Sequence, residues 1–247
     1  MNAIIIAAGS GKRISNDVRY TPKSLLKVNN KTILDHQIEA LNKVGIENIT
    51  LVVGPYSEKF DSKNVKYVHD LQHEKHDILG SLMEAKDFLT NDVLVLYSDI
   101  IFESQIITQL LDSAANISIA VDRDWEINYE GRTHHPKNEA ENVEINDDGK
   151  IIKIKKNIQS KNNDVSEFLG IIKFSSMGID IFVSKYQELI KNHVGNFHEA
   201  PSISKAYLTD MLQELIDSKN AIEPVFISGK WCEIDTKQDL ENAENIF

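Results

Sequence analysis

The sequence predicts an α/β protein: a Rossmann-like, mainly parallel sheet with helices on both faces and a small inserted β/loop lid. Three observations carry this. Short apolar runs at 3–7, 49–53, 65–68, 93–97 and 117–121 alternate with stretches of helical period. A small-residue loop, Ala8-Gly9-Ser10-Gly11, follows the first run directly. After residue 121 the rhythm breaks into a polar stretch and a hairpin-like pattern before strands and helices resume.

Taken in order, residues 3–7 read as a buried strand. The loop after it has little side chain, so its backbone N–H groups can approach a ligand closely. Lys12 and Arg13 add positive charge, and Pro22-Lys23 brings a second cation in a loop. A strand, a small-residue loop and cations can together hold a polyphosphate. The glycine pair alone fits an ordinary strand-to-helix turn equally well. Neither GxxxxGK[ST] nor a GxGxxG turn running into a helix is present. Ile33, Leu34, Ile38, Leu41 and Val44 have helical spacing, and Gly45 stops that helix. Strands follow at 49–53, ended by Gly54-Pro55, and at 65–68. A helix over about 79–89 precedes the strand 93–97, which ends in Ser98-Asp99. A helix at 104–115 and a strand at 117–121 complete the alternation. Right-handed crossovers then set the strand C-termini along one edge, where ligands bind.

Residues 143–145 and 151–154, joined by Asn146-Asp147-Asp148-Gly149, read as a hairpin, and 159–164 as a polar loop. The run 168–174 is a strand returning to the main sheet. Helices are expected at 178–192, 202–219 and 237–244, with a strand at 224–227 leading to Trp231-Cys232-Glu233-Ile234-Asp235. No repeat or low-complexity linker divides the chain. Residues 1–247 are read as a single domain, with 122–165 as an acceptor-binding insertion or lid.

The 247 residues are 41% apolar and 26% charged, an ordinary soluble composition. A net charge of −11 argues against general nucleic-acid binding, so an anionic substrate must be met by local cations and a metal ion. No apolar run approaches the roughly 20 residues that cross a bilayer, and no signal-peptide pattern opens the chain. The single Cys232 excludes an internal disulfide. The setting expected is cytoplasmic, with no membrane or nucleic-acid partner, and a homodimer is left open.

Asp99 ends a buried strand, and Asp235 follows another that should reach the same edge. Two carboxylates converging there would hold a Mg²⁺ bridging phosphate oxygens. The competing reading makes Asp99 a turn residue and Asp235 a helix N-cap before Thr236-Lys237. Glu233 lies on the same face as Asp235 in an extended segment, as a supporting partner or a structural residue. In the altered middle stretch, Arg123 and Arg132 suit an acceptor phosphate or phosphonate, or else form a solvated ion-paired loop. Trp125 and Tyr129 suit an ammonium through cation–π contact. Asp122, Asp124, Glu139 and Glu141 offer countercharge. His134 and His135 are adjacent and point opposite ways, which argues against a histidine-based metal site. Cys232 reads as packing rather than catalysis.

The segments AAGSGKR and TPKSLLKV, with YSDI and GKWCEID, resemble the signature of the nucleotidyltransferases that join an NTP to a phosphorylated sugar or alcohol. The resemblance spans nearly the whole chain and implies a GT-A-like fold. It puts the nucleotide-wrapping loop on Ala8, Gly9 and Gly11, the phosphate contacts on Arg13 and Lys23, and Mg²⁺ on Asp99 and Asp235. It also implies nucleotide contacts from the segment Asp77 to Leu82, where Ser81 either hydrogen-bonds the nucleotide or caps a helix. Within the family, the DxxxSL arrangement is similar to cytidylyltransferases acting on phosphocholine or 2-aminoethylphosphonate. Asp77 stands where Asn or Thr is common, which leaves the base open. The stretch FHEAPSISKAYLTDMLQELI resembles the same subfamily, with His198, Glu199 and Lys205 closing over the acceptor and Asp210 structural.

The activity implied is a Mg²⁺-dependent transfer of CMP from CTP to a small phosphorylated or phosphono-alkylamine, releasing pyrophosphate. The alternatives are a sugar-1-phosphate nucleotidyltransferase and a nucleotide-binding module without catalysis.

Overall fold

The Ala3–Ala7 run forms the axis of a nine-stranded sheet. The structure is a computed structural model that describes residues 1–9, 21–161 and 163–247. In chain order its elements begin with β1 (Asn2–Ala7), β2 (Lys27–Val28), β3 (Lys31–Thr32), α1 (Ile33–Lys43), β4 (Asn48–Val53) and β5 (Val65–His69). Next come α2 (Ile78–Glu84), β6 (Val93–Tyr97), β7 (Ile100–Phe102), α3 (Ser104–Asp112) and β8 (Ile117–Asp122). Then follow β9 (Glu141–Ile145), β10 (Ile151–Lys156), β11 (Asp164–Phe174) and α4 (Ser176–Asn192). The chain closes with α5 (Leu208–Asp217), β12 (Glu223–Phe226), β13 (Trp231–Glu233) and α6 (Lys237–Ile246).

β1 pairs in parallel with β4 on one side and β6 on the other, and β5 extends the parallel set beyond β4. Both faces of β1 are covered, which is why its sequence is a continuous apolar run rather than an alternation. Ile4 and Ile6 face a core shared with α2, α4 and α5. Ala3, Ile5 and Ala7 face the opposite core, shared with α1 and α3. Helices therefore lie on both faces, as the sequence predicts.

The parallel pattern has one consequential exception. β11 returns to the main sheet as expected, but runs antiparallel to β6, β8 and β9. It follows directly from the β9–β10 hairpin, and an antiparallel return needs no crossover helix. One edge of β11 pairs with β8. Its other edge is divided, Ile171–Phe174 pairing with β6 and Asp164–Glu167 with β9. β6 and β9 therefore part beside Gly170. That residue has φ +75°, and a Cβ there would come 2.3 Å from the Tyr97 ring. Glycine is required on both counts.

Two further differences have local causes. The helix expected over 202–219 begins at Leu208, because the Asp210 carboxylate accepts from the Tyr207 backbone N–H at 2.8 Å and caps the helix there. Before it, Ile203–Lys205 make a single 3₁₀ turn. The segment at 231–235 forms an antiparallel ladder with β7, pairing Trp231 with Phe102 and Glu233 with Ile100. Among the described residues, no helix is long and apolar enough to cross a membrane.

Candidate active site

A cleft of about 500 Å³ opens at the C-terminal ends of β1 and β6. The β7–β13 ladder brings Asp235 to it: Ile234 N–H donates to the Asp99 carbonyl at 2.8 Å, fixing the two segments side by side. Lys23, on the 3₁₀ turn Lys23–Leu25, sits between the two carboxylates. Its ammonium is 2.9 Å from Asp99 Oδ2 and also donates to Asp235 Oδ1. Burial works against the charge on Lys23, but the fields and hydrogen bonds of Asp99 and Asp235 outweigh it and raise its pKa. Asp99 Oδ1 is buried with no hydrogen-bond partner among the described residues. Asp235 is not the helix cap: Thr236 caps α6 in a capping box with Asp239.

At the nucleotide end of the cleft lie Ala8, Gly9, Asp77 and Ser81. Gly54 allows the loop after β1 to pack closely, since a Cβ there would come 2.4 Å from the Ala8 carbonyl oxygen. Gly11, Lys12 and Arg13 lie outside the described residues. Asp77 is the N-cap residue of α2, but its side chain makes no capping bond. Ser81 lies inside α2, so the helix-cap reading of that residue fails. Its hydroxyl donates to Asp70 Oδ2 at 2.7 Å. The same oxygen accepts from His76 Nε2 at 2.8 Å, and Asp70 Oδ1 accepts from Gln72 N–H at 3.0 Å. A buried carboxylate, unnoticed in the sequence, thus ties the loop after β5 to the helix that lines the cleft.

The other end is acidic. Tyr97 donates its hydroxyl to Glu141 at 3.1 Å across the gap between β6 and β9. Tyr129 donates to Glu167 Oε1, while Glu167 Oε2 is buried with no partner among the described residues. Burial pushes Glu141 up to about 7 and Glu167 up to about 8. Glu233 is also raised, by burial and by Asp235 and Asp99. His135, buried beside them, has Nδ1 3.2 Å from Asp235 Oδ2 and Nε2 3.7 Å from Glu233. Burial and the neighbouring Arg132 lower its pKa. His134 and His135 do diverge, the first exposed and the second buried. Ligand atoms of His135, Glu233 and Asp235 nonetheless lie within 4.8 Å of one another, close enough to share one cation.

The residues expected to bind the acceptor are dispersed. Arg123 packs its guanidinium 3.5 Å from the centre of the Phe226 ring and lines a separate hollow with Trp125. The Trp125 indole donates to the Val165 carbonyl at 3.0 Å. Tyr129 and Arg132 buttress the cleft wall from behind. Tyr129 holds Glu167, and Arg132 bonds Asp239 at 2.8 Å, stands 3.7 Å from Glu233 and stacks on Tyr129. His198 pairs with Glu214 and Glu199 with Lys155, and neither lines the cleft. Glu167 went unnoticed, although a lone acid beside the run Phe168-Leu169-Gly170-Ile171-Ile172 was a readable signal. Cys232 is half-buried with its thiol pushed up to about 12, in keeping with packing.

This sheet of mostly parallel strands, with the cleft at its strand ends, is the fold shared with solved nucleotidyltransferases of the GT-A-like fold. The solved CTP:phosphocholine cytidylyltransferase of Streptococcus pneumoniae superposes with a TM-score of 0.71 at 22% identity, covering 99% of this chain and 98% of that one. Residues 3–146 match the family described as the MobA-like NTP transferase domain, and the chain belongs to that family. The CTP:phosphoglutamine cytidylyltransferase of Campylobacter jejuni is 30% identical over 254 residues, 98% of each chain. The bifunctional protein GlmU of Methanococcus maripaludis is 30% identical over all of this chain, which spans 54% of that protein.

Proposed function

We propose that this enzyme is a CTP-dependent cytidylyltransferase that transfers CMP to a small phosphorylated or phosphono-alkylamine. The observation that carries the reading is the meeting of Asp99 and Asp235, from distant parts of the chain, on the Lys23 ammonium. The similarity to enzymes named for CTP:phosphoglutamine and CTP:phosphocholine supports cytidine and a phosphorylated acceptor. The acidic far end of the cleft favours an amine over a sugar.

The donor set suits Mg²⁺. Both acids offer hard oxygens, they already share one cation, and Asp99 Oδ1 is buried without a partner among the described residues. Asp99 and Asp235 would hold the ion, which neutralises phosphate charge when bound. The loop at Ala8 and Gly9 lies against the nucleotide, and Lys23 turns from the carboxylates to the phosphates. An oxygen of the acceptor phosphate or phosphonate attacks the α-phosphorus in line. The bond from the α-phosphorus to the bridging oxygen breaks, and pyrophosphate leaves with that electron pair. No protein nucleophile is required, since positioning and charge neutralisation lower the barrier.

The test is a pyrophosphate-release screen of four NTPs against phospho- and phosphono-acceptors. The expected result is release with CTP and an amine-bearing acceptor. Release only with a sugar 1-phosphate, or none despite CTP binding, overturns the reading.

A further inference from the structure

A second group of ligand-type side chains stands apart from Asp99 and Asp235, where the loop after β5 meets α2. Ligand atoms of Asp70, His76 and Glu84 lie within 4.8 Å of one another. Asp70 directly follows β5, His76 stands two residues before α2, and Glu84 is the last residue of α2. The first two are held in place by other groups. Asp70 Oδ2 accepts from the Ser81 hydroxyl at 2.7 Å and Oδ1 from the Gln72 N–H at 3.0 Å. The His76 ring packs on α2 at Gly80, where a Cβ would come 2.4 Å from its Cγ and 2.7 Å from its Nδ1. Nε2 is therefore the nitrogen directed at Asp70, 2.8 Å from Oδ2. Outer partners of this kind orient the ligands of a metal site. Glu84 differs: it is exposed and makes no hydrogen bond or ion pair among the described residues.

We propose that Asp70, His76 and Glu84 form a second divalent-cation site, for Zn²⁺ or a similar nitrogen-binding ion, that braces the nucleotide end of the cleft. One imidazole and two carboxylates suit Zn²⁺ or Co²⁺, whereas Mg²⁺ and Ca²⁺ favour oxygen alone. Neighbouring ligands about 2 Å from one ion stand about 3 Å apart, the spacing that His76 and Asp70 already have. The ion takes the place of the ring proton between them and supplies the cation that Glu84 lacks. Three protein ligands leave a fourth position to water on the exposed side. His76 and Ser81 both line the cleft, so the ion ties the loop after β5, α2 and the cleft lining together. It takes no part in the transfer chemistry, and the inference stands whichever nucleotide is transferred.

The experiment is calorimetric titration of the full chain, freed of metal by chelation, with Zn²⁺ in excess Mg²⁺. Wild type is expected to bind one equivalent that Mg²⁺ does not displace. Asp235→Asn should keep it, which separates the site from the cluster of His135, Glu233 and Asp235. Glu84→Gln and His76→Gln should each weaken it about tenfold or more, at least the cost of losing an outer partner of a ligand. Because Glu84 holds nothing else, the metal-free melting curve of Glu84→Gln should match wild type, so its loss of binding is not a loss of fold. Zn²⁺ should raise the melting temperature of wild type but not of Glu84→Gln. No equivalent bound in excess Mg²⁺, or one lost in Asp235→Asn, overturns the inference. So does one held as tightly in either Glu84→Gln or His76→Gln, the behaviour of an adventitious surface ion. Each of these outcomes leaves the cytidylyltransferase reading standing.

Discussion

Lys23 and Asp99 form an ion pair of 2.9 Å at the mouth of the cleft, and the same ammonium reaches Asp235. The pair brings together a loop after the first strand, the end of β6 and the segment after β13. Two acids held this close need a cation, and Lys23 supplies it.

Replacing Lys23 by Ala removes that counterion and the proposed phosphate contact. Turnover should fall about a hundredfold or more, in the range lost with a positioned transition-state donor. Steady-state kinetics with CTP, alongside a melting curve to show the fold, checks this. A fall in melting temperature with unchanged turnover would assign Lys23 a structural role alone.

Chelation should act through Asp99 and Asp235. Excess EDTA is expected to abolish turnover and Mg²⁺ to restore it. In the presence of CTP, Mg²⁺ should raise the melting temperature of the wild type but not of Asp235→Ala.

Glu141 and Glu167 set a pH dependence of stability. Their pKa values in the folded chain, about 7 and about 8, exceed that of an unfolded carboxylate. Between that ordinary value and the raised ones, the folded state binds more protons than the unfolded state. Their contribution is complete below the unfolded pKa and is lost as pH rises through 7 and 8. The ligand-free protein should therefore melt lower at about pH 8.5 than at about pH 5.5, and the Glu141→Gln/Glu167→Gln double variant should flatten that slope. An identical slope in the double variant would contradict the assignment.

Asp70 should matter for the nucleotide without touching the chemistry. Asp70→Ala strands the donors of His76, Ser81 and Gln72, costing about 1–3 kcal/mol of stability. The KM for CTP is expected to rise more than kcat falls, because the lining of the nucleotide end loosens. Kinetics at varied CTP, with chemical denaturation of the same variant, separates the two effects.

Gly170 is expected to tolerate no side chain. Gly170→Ala meets both the positive φ and the Tyr97 ring, so a loss of about 1–3 kcal/mol should appear in chemical denaturation.

Much of this was readable from residues. The run ending at Ala7 declared a buried strand, since a strand covered on both faces is apolar throughout; that it lies between β4 and β6 is shown by the structure. Position alone left Asp99 readable as a turn residue and Asp235 as a helix cap; the N-terminal loop and the family resemblance are what marked them as candidate site residues. The ladder that joins their segments was not readable: β7 and β13 are three residues each, and their pairing depends on tertiary packing. Arg123 and Trp125 had the chemistry for an acceptor. However, composition does not say on which side of a wall a side chain falls, and they line a neighbouring hollow. The division of β11 between β6 and β9 was likewise hidden. Its one trace was Gly170, close after the lone Glu167.

The account rests on Asp99 and Asp235 acting as a unit on one triphosphate. The most direct measurement is CTP-dependent pyrophosphate release, with 2-aminoethylphosphonate as acceptor, by Asp99→Asn, Asp235→Asn and the double variant. Each single change should remove most turnover and the double little more, since groups that act together are not additive. Near-normal turnover in either single variant, with the fold intact, would contradict it.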